Sequence, residues 1–227
     1  MEILKEIRDI EDELYKKRIL KLEAVNERDF ELAADYRDEE KKLQSALEKL
    51  VKIFESTLSD LSLIEKAKIY ATKSHDDVNH KYNDWPYTYH LEMVVEYAKK
   101  YIKYIPNDMI ENVLSACWCH DVIEDTRKTY NDVKTVLNEK IADLVYALTN
   151  EKGRNRKEKA NDKYYQGIID EPYADFIKIC DRMANIKASG KYKMMSMYAK
   201  EYDHFKKMLY VIGRYEDMWA EMEEMIN

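Results

Sequence analysis

Glycine and proline are scarce in this chain, four and three among 227 residues. Sandwiches and barrels need turn residues about every ten positions, so the shortage argues against a β-rich fold. A run near the roughly 18 apolar residues of a membrane span is also missing. So is an excess of positive charge: the formal net charge of −7 excludes a surface built to follow a nucleic-acid backbone, though not a local basic pocket. The opening "MEILKEIRDIEDEL" lacks the apolar core and small-residue cleavage site of a secretory signal, which predicts a cytoplasmic protein. Cysteines number only three, in keeping with a reducing compartment. Cys117 and Cys119 have no second pair to complete a thiolate metal site, and are expected to be buried helical thiols. What fills the chain is 37% charged and 45% hydrophobic, rich in Leu, Ile, Met, Glu and Lys, and it predicts an all-α protein.

Two parts are expected. Residues 1–50 carry 26 charged side chains, with Ile3, Ile7, Ile10 and Leu14 recurring at alternating spacings of four and three, a narrow helical seam. The pattern breaks at "NERDF", where Asn26 and Asp29 can end one helix and cap the next. A second helix from about Phe30 through Leu50 completes an antiparallel hairpin over residues 1–55. From residue 56 to 227 aromatics increase and all five histidines appear. This core-bearing part predicts a multi-helix bundle, with helices near 60–75, 88–104, 108–124, 129–137, 138–149, 157–169, 173–188 and a broken 191–225. The segment "NEKGRNRKEK", 150–159, is the longest expected loop.

The stretch "CHDVIEDT", 119–126, follows the apolar "VLSACWC" and ends in one histidine and several acids. On a continuous helix His120 would align with Glu124, and Asp121 with Glu124 and Asp125. Acids at a helix C-terminus oppose the macrodipole, so a bound divalent cation explains them better than helix stability does. A histidine and an aspartate in sequence can each give one ligand if other segments supply the rest. His90 in "WPYTYH" and Asp181 in the apolar "IKICDRMAN" are candidates, because an unpaired carboxylate in an apolar run would be costly. Two imidazoles and two carboxylates suit Mn, Fe, Zn or Mg with water completing the shell.

The order His90, His120-Asp121, Asp181 resembles the HD phosphohydrolase superfamily. The words "AKIYATKSH", "PYTYH", "HDVIEDT", "VLNEKIADLVYALTNEKG" and "IKICDRMANI" are similar, in that order, to the hydrolase domain of RelA/SpoT proteins and of small stand-alone alarmone hydrolases. This resemblance implies that His90, His120, Asp121 and Asp181 hold one metal ion, usually Mn²⁺. It implies that Glu124 and Asp125 orient or deprotonate the attacking water, and that Asn185 and Tyr202 lie on the substrate side. Arg182 is expected to form a structural ion pair, and His75 to support the site from behind or pack in the core. Lys81, Arg127, Lys128, Lys187 and the basic loop 152–159 are candidates for a cationic lining against a polyphosphate. The implied reaction is hydrolysis of the 3′-pyrophosphate of guanosine tetra- or pentaphosphate (ppGpp, pppGpp).

The chain departs from that pattern where the family places an arginine against guanine. "HDDVNHKYNDWPY" offers Asn79 and Lys81 only after a one-residue insertion, and a lysine does not stack as a guanidinium does. Two alternatives therefore stay open: an HD-type phosphatase acting on NADPH or another nucleotide, and a nucleotide-sensing adaptor. The second draws on the hairpin, where "RDFELAADYRDEEKKLQ" resembles the UVR motif of UvrB and UvrC, with Phe30, Ala33, Ala34, Arg37, Asp38 and Leu43 in matching places. That likeness implies contact with a protein partner or a second copy. His80 has no clear place in the family pattern, and His204 is expected on the surface.

Overall fold

The computed structural model describes residues 2–59, 61–150, 153–189 and 195–226. It is all-α apart from one two-residue β-hairpin. Contacts divide the chain into two units, Met1–Leu61 and Ser62–Asn227.

The first unit is a helical hairpin of α1 (Glu2–Asn26) and α2 (Phe30–Ser59). Arg28 takes the left-handed conformation in the turn, and the Asp29 carboxylate accepts the Leu32 N–H at 3.0 Å, capping α2. Leu14, Ala24 and Ala33 are buried between the helices. Along their flank Lys17 pairs with Glu39 at 2.6 Å, and Arg18 and Lys21 both reach Glu40. Helix α2 runs nine residues past the expected Leu50, since "VKIFESTLS" contains neither glycine nor proline to stop it.

The second unit opens with α3 (Leu63–Asp76), whose start is set by a capping box between Ser62 and Glu65. A short hairpin, β1 (Lys81–Tyr82) with β2 (Trp85–Pro86), turns through Asn83 at φ 55°. Then follow α4 (Thr88–Lys100), a 3₁₀ turn (Ile102–Tyr104), α5 (Ile110–Cys119), α6 (Val122–Asp125), α7 (Tyr130–Val136) and α8 (Glu139–Leu148). The chain ends with α9 (Arg156–Lys159), α10 (Asp162–Asp170), α11 (Ala174–Ser189), α12 (Met195–Leu209) and α13 (Glu216–Ile226). Side chains of Thr129, Asn138 and Asn161 cap α7, α8 and α10 at their first turns.

Helices α5 and α11 form the centre of this unit. Residues Val113 through Cys119 are all buried, as are most residues of α11, including Phe176, Ile177, Ile179 and Met183. A helix with apolar residues on several faces must be enclosed, and α4, α8, α10, α12 and α13 pack around α11. All three cysteines are buried here. Among the described residues no helix is long and apolar enough to cross a membrane.

Candidate metal centre

The helix expected over 108–124 breaks at His120 and Asp121. Asp121 leaves helical geometry, with φ −101° and ψ 1°, and α6 begins immediately after it. The break sends the two side chains to the same point that α4 and α11 approach from other directions. His90 Nε2 lies 3.3 Å from His120 Nε2 and 3.2 Å from Asp181 Oδ1, and His120 Nε2 lies 3.7 Å from Asp181 Oδ1. Asp121 Oδ2 is 2.9 Å from His120 Nε2 and 3.8 Å from His90 Nε2. Donor atoms about 2.1 Å from one ion stand about 3.0–3.4 Å apart, so this spacing fits a shared divalent cation. The buried trio His90, His120 and Asp181 could hold a metal, with Asp121 beside it.

The surroundings support that use. His120 Nδ1 faces the Cys117 carbonyl at 2.9 Å, which leaves Nε2 as the coordinating nitrogen. His90 Nδ1 is buried without a partner. Burial opposes charge on His120, but Asp121 and Asp181 outweigh it and raise the imidazole to about 9. Burial likewise opposes ionisation of Asp181, yet Lys178 and the histidines hold its carboxyl well below the usual range. Two carboxylates that draw a proton onto a buried imidazole make a focus for positive charge.

Asp181 sits in the mostly buried α11 because its oxygens are satisfied there. Lys178 Nζ donates to Oδ2 at 2.9 Å, one turn earlier on the helix, and Asn185 Nδ2 donates to Oδ1 at 2.6 Å, one turn later. Asn185 also accepts from the Tyr82 hydroxyl at 3.0 Å. Tyr82, delivered by the β-hairpin, stacks on the His90 ring at 4.8 Å.

The centre opens into a cavity of about 620 Å³ that Glu124, Asp125, Asn150, Asn185 and Arg182 also line. Glu124 is gripped by Asn150, whose backbone N–H reaches Oε2 at 3.2 Å while its amide nitrogen donates to Oε1 and Oε2 at 2.7 and 2.8 Å. Asp125 faces the cavity, where desolvation, reinforced by Asp121 and Glu124, pushes its carboxyl up to about 7. The mouth carries Lys159, Lys200 and His204, the last edge-on to Tyr165 at 5.8 Å. His204 is therefore solvent-exposed as expected, but at the cavity entrance.

Several expected substrate contacts lie elsewhere. Lys81 is exposed on β1 and Lys187 sits over the Tyr97 ring at 5.5 Å; neither lines the cavity, and neither do Arg127 and Lys128. Tyr202 turns away to donate to Glu223 at 2.9 Å. Arg182 pairs with Glu201 at 2.8 Å and lies over the Phe205 ring at 4.5 Å, so its ion pair is with α12 and not with the acids of α6. Of the basic loop, Lys159 reaches the cavity; Lys152 and the side chains of Arg156 and Lys157 lie outside the described residues. His75 contacts the Tyr87 and His80 rings, and burial lowers it to about 4. Sequence reasoning missed Asn150, Lys178 and Tyr82. Lys178 left one signal, standing three residues before Asp181 on a helix.

No protein-family model matches the chain. It is 26% identical over 149 residues to a guanosine-3′,5′-bis(diphosphate) 3′-pyrophosphohydrolase of Aquifex aeolicus, 64% of this chain and 20% of that protein. It is 29% identical over 77 residues to the Drosophila melanogaster enzyme of the same name, MESH1, 34% of this chain and 43% of that one. The matches thus span less than half of either relative's length. A solved structure of a metazoan ortholog of SpoT that hydrolyzes ppGpp superimposes with a TM-score of 0.59 at 18% identity, covering 73% of this chain and 94% of that one. By sequence the chain is similar to ppGpp 3′-pyrophosphohydrolases, and by structure it shares the fold of one.

Proposed function

We propose that this protein hydrolyses the 3′-pyrophosphate of ppGpp and pppGpp in the cytoplasm, giving GDP or GTP and pyrophosphate, with one divalent cation, Mn²⁺. The observation that carries this reading is the convergence of His90 on α4, His120 at the end of α5 and Asp181 on α11, beside a cavity that His90, Asp181, Glu124 and Asp125 line. The two relatives named for this reaction support the choice of substrate.

His90, His120, Asp121 and Asp181 are the ligands in this scheme. Bound there, the cation supplies Lewis-acid polarisation of a phosphoryl oxygen and a lowered pKa for water. Glu124, held by Asn150, and Asp125 beside it aim the attacking water and take its proton. Water adds to phosphorus as the bond to the ribose 3′-oxygen breaks, and that oxygen leaves with a proton. Lys159 and Lys200, which line the cavity, offer positive charge to the remaining phosphates, and His204 beside them offers a ring nitrogen. The cluster also fits a substrate other than guanosine, since Asn79 and Lys81 stand where an arginine would face the base and neither lines the cavity. The hairpin of residues 1–55 is, in this scheme, an interaction or oligomerisation element apart from the hydrolase domain of residues 56–227.

The test is product analysis after incubating metal-stripped, Mn²⁺-reloaded protein with ppGpp. Pyrophosphate and GDP should form with the native chain, and not with Asp121→Ala. Glu124→Gln should lose about 10²–10⁴ in rate while still binding metal. Turnover of NADPH or another nucleotide in preference to ppGpp would transfer the assignment to that substrate.

A further inference from the structure

The segment "HDDVNH", 75–80, stands where base recognition was sought, and the structure gives it different work. Helix α3 ends as Asn79 adopts the left-handed conformation, φ 52°, with its N–H bonded to the Asp76 carbonyl at 2.9 Å. The His80 N–H then returns to the His75 carbonyl at 3.0 Å. This wound-back end brings the two imidazoles together, Nδ1 to Nδ1 at 3.0 Å. Between an imidazole pair at that distance one nitrogen donates and the other accepts, which sets both ring planes.

The pair holds a third ring. His80 stacks on Tyr87 with centroids 3.9 Å apart and planes 16° from parallel, and His75 lies against the same ring at 4.4 Å. Tyr87 is buried, and its hydroxyl donates to Asp121 Oδ2. That oxygen is the one that faces both His120 and His90. Core packing alone would need the ring and leave the hydroxyl any acceptor; here it meets a carboxylate ligand candidate at the helix break, where Asp121 leaves helical geometry.

We propose that Tyr87 is a positioning residue for the metal centre: its hydroxyl fixes the Asp121 carboxylate in the coordinating arrangement, and the His75–His80 pair fixes Tyr87. This rests on the reading of Asp121 as a ligand. Partners of this kind typically change metal affinity about 10- to 100-fold when removed.

The test titrates the metal-stripped 227-residue chain with Co²⁺, following visible absorption for affinity and ligand field, alongside thermal melts with and without metal. Tyr87→Phe keeps the ring and should weaken Co²⁺ binding roughly 10- to 100-fold with an altered absorption band. A merely structural loss would lower the two melts equally and leave the band unchanged. His80→Phe, which preserves a stacking ring, should retain most of the affinity that His80→Ala loses. Native affinity and spectrum in both Tyr87→Phe and His80→Ala would overturn the proposal while leaving the metal reading intact. A native chain that binds no Co²⁺ would sink both.

Discussion

Asn150 illustrates how much a single side chain can decide at the end of a helix. It stands just beyond α8, and among the described residues three hydrogen bonds run from it to one carboxylate, that of Glu124. Hydrogen bonds to a charged group contribute about 1.5–3 kcal/mol each, so a carboxylate held from two directions has little freedom to turn. Asn150→Ala should therefore lower kcat about tenfold or more with KM nearly unchanged, measured by steady-state release of pyrophosphate. An equal loss in KM would mean that Asn150 serves substrate binding instead. The other acid of the pair has the opposite character: Asp125 carries its proton up to about 7 in the cavity while Glu124 is anchored. Acids this close in sequence are given different work by what surrounds them, and no count of charges along "VIEDT" discloses it.

At the scale of elements, what could be read from the chain was what depends on near neighbours. The helical hairpin turned where Asn26 and Asp29 stand, and the broken C-terminal helix parted into α12 and α13. The word "CHDVIEDT" and its distant partners His90 and Asp181 announced the cluster because their chemistry has few other uses in an apolar run. Features that depend on contacts across the fold were hidden. The bend at Asp121, the two-residue strands around Asn83 and the direction of Tyr202 toward Glu223 are set by partners up to 103 residues away, as Tyr82 with Asn185 shows. The cap at Asn79 lies between these cases: Asn is among the few residues that enter the left-handed region readily, yet the same position was weighed as a base contact. A β-branched side chain there meets a backbone conformation it rarely adopts. Asn79→Val should cost about 1–3 kcal/mol in urea unfolding, whereas Asn79→Gly should fall within roughly 0.5 kcal/mol of the native chain. Equal midpoints for Val and Gly would show that this helix end relaxes without strain.

The whole molecule is two units of unequal construction, and their stabilities should differ accordingly. In Met1–Leu61 the buried hydrophobic residues among those described are Leu14, Ala24 and Ala33, so little apolar surface opposes the entropy of ordering two long helices. Its flank of ion pairs adds little, since exposed pairs contribute about 0–1 kcal/mol each and weaken as salt rises. Ser62–Asn227 contains the continuous core built on α5 and α11, and with it every ligand candidate, Glu124 and Asp125, and the side chains that hold them. A chain of residues 62–227 should melt in one sharp transition and bind Co²⁺ with the affinity of the 227-residue chain. Residues 1–61 alone should lose helicity over a broad range of temperature, at a midpoint that falls with added salt. Circular dichroism of the two pieces checks both outcomes. A fragment 62–227 that unfolds gradually or loses its metal affinity would mean that the first unit completes the second, and would recast the hairpin as part of the metal-binding unit itself.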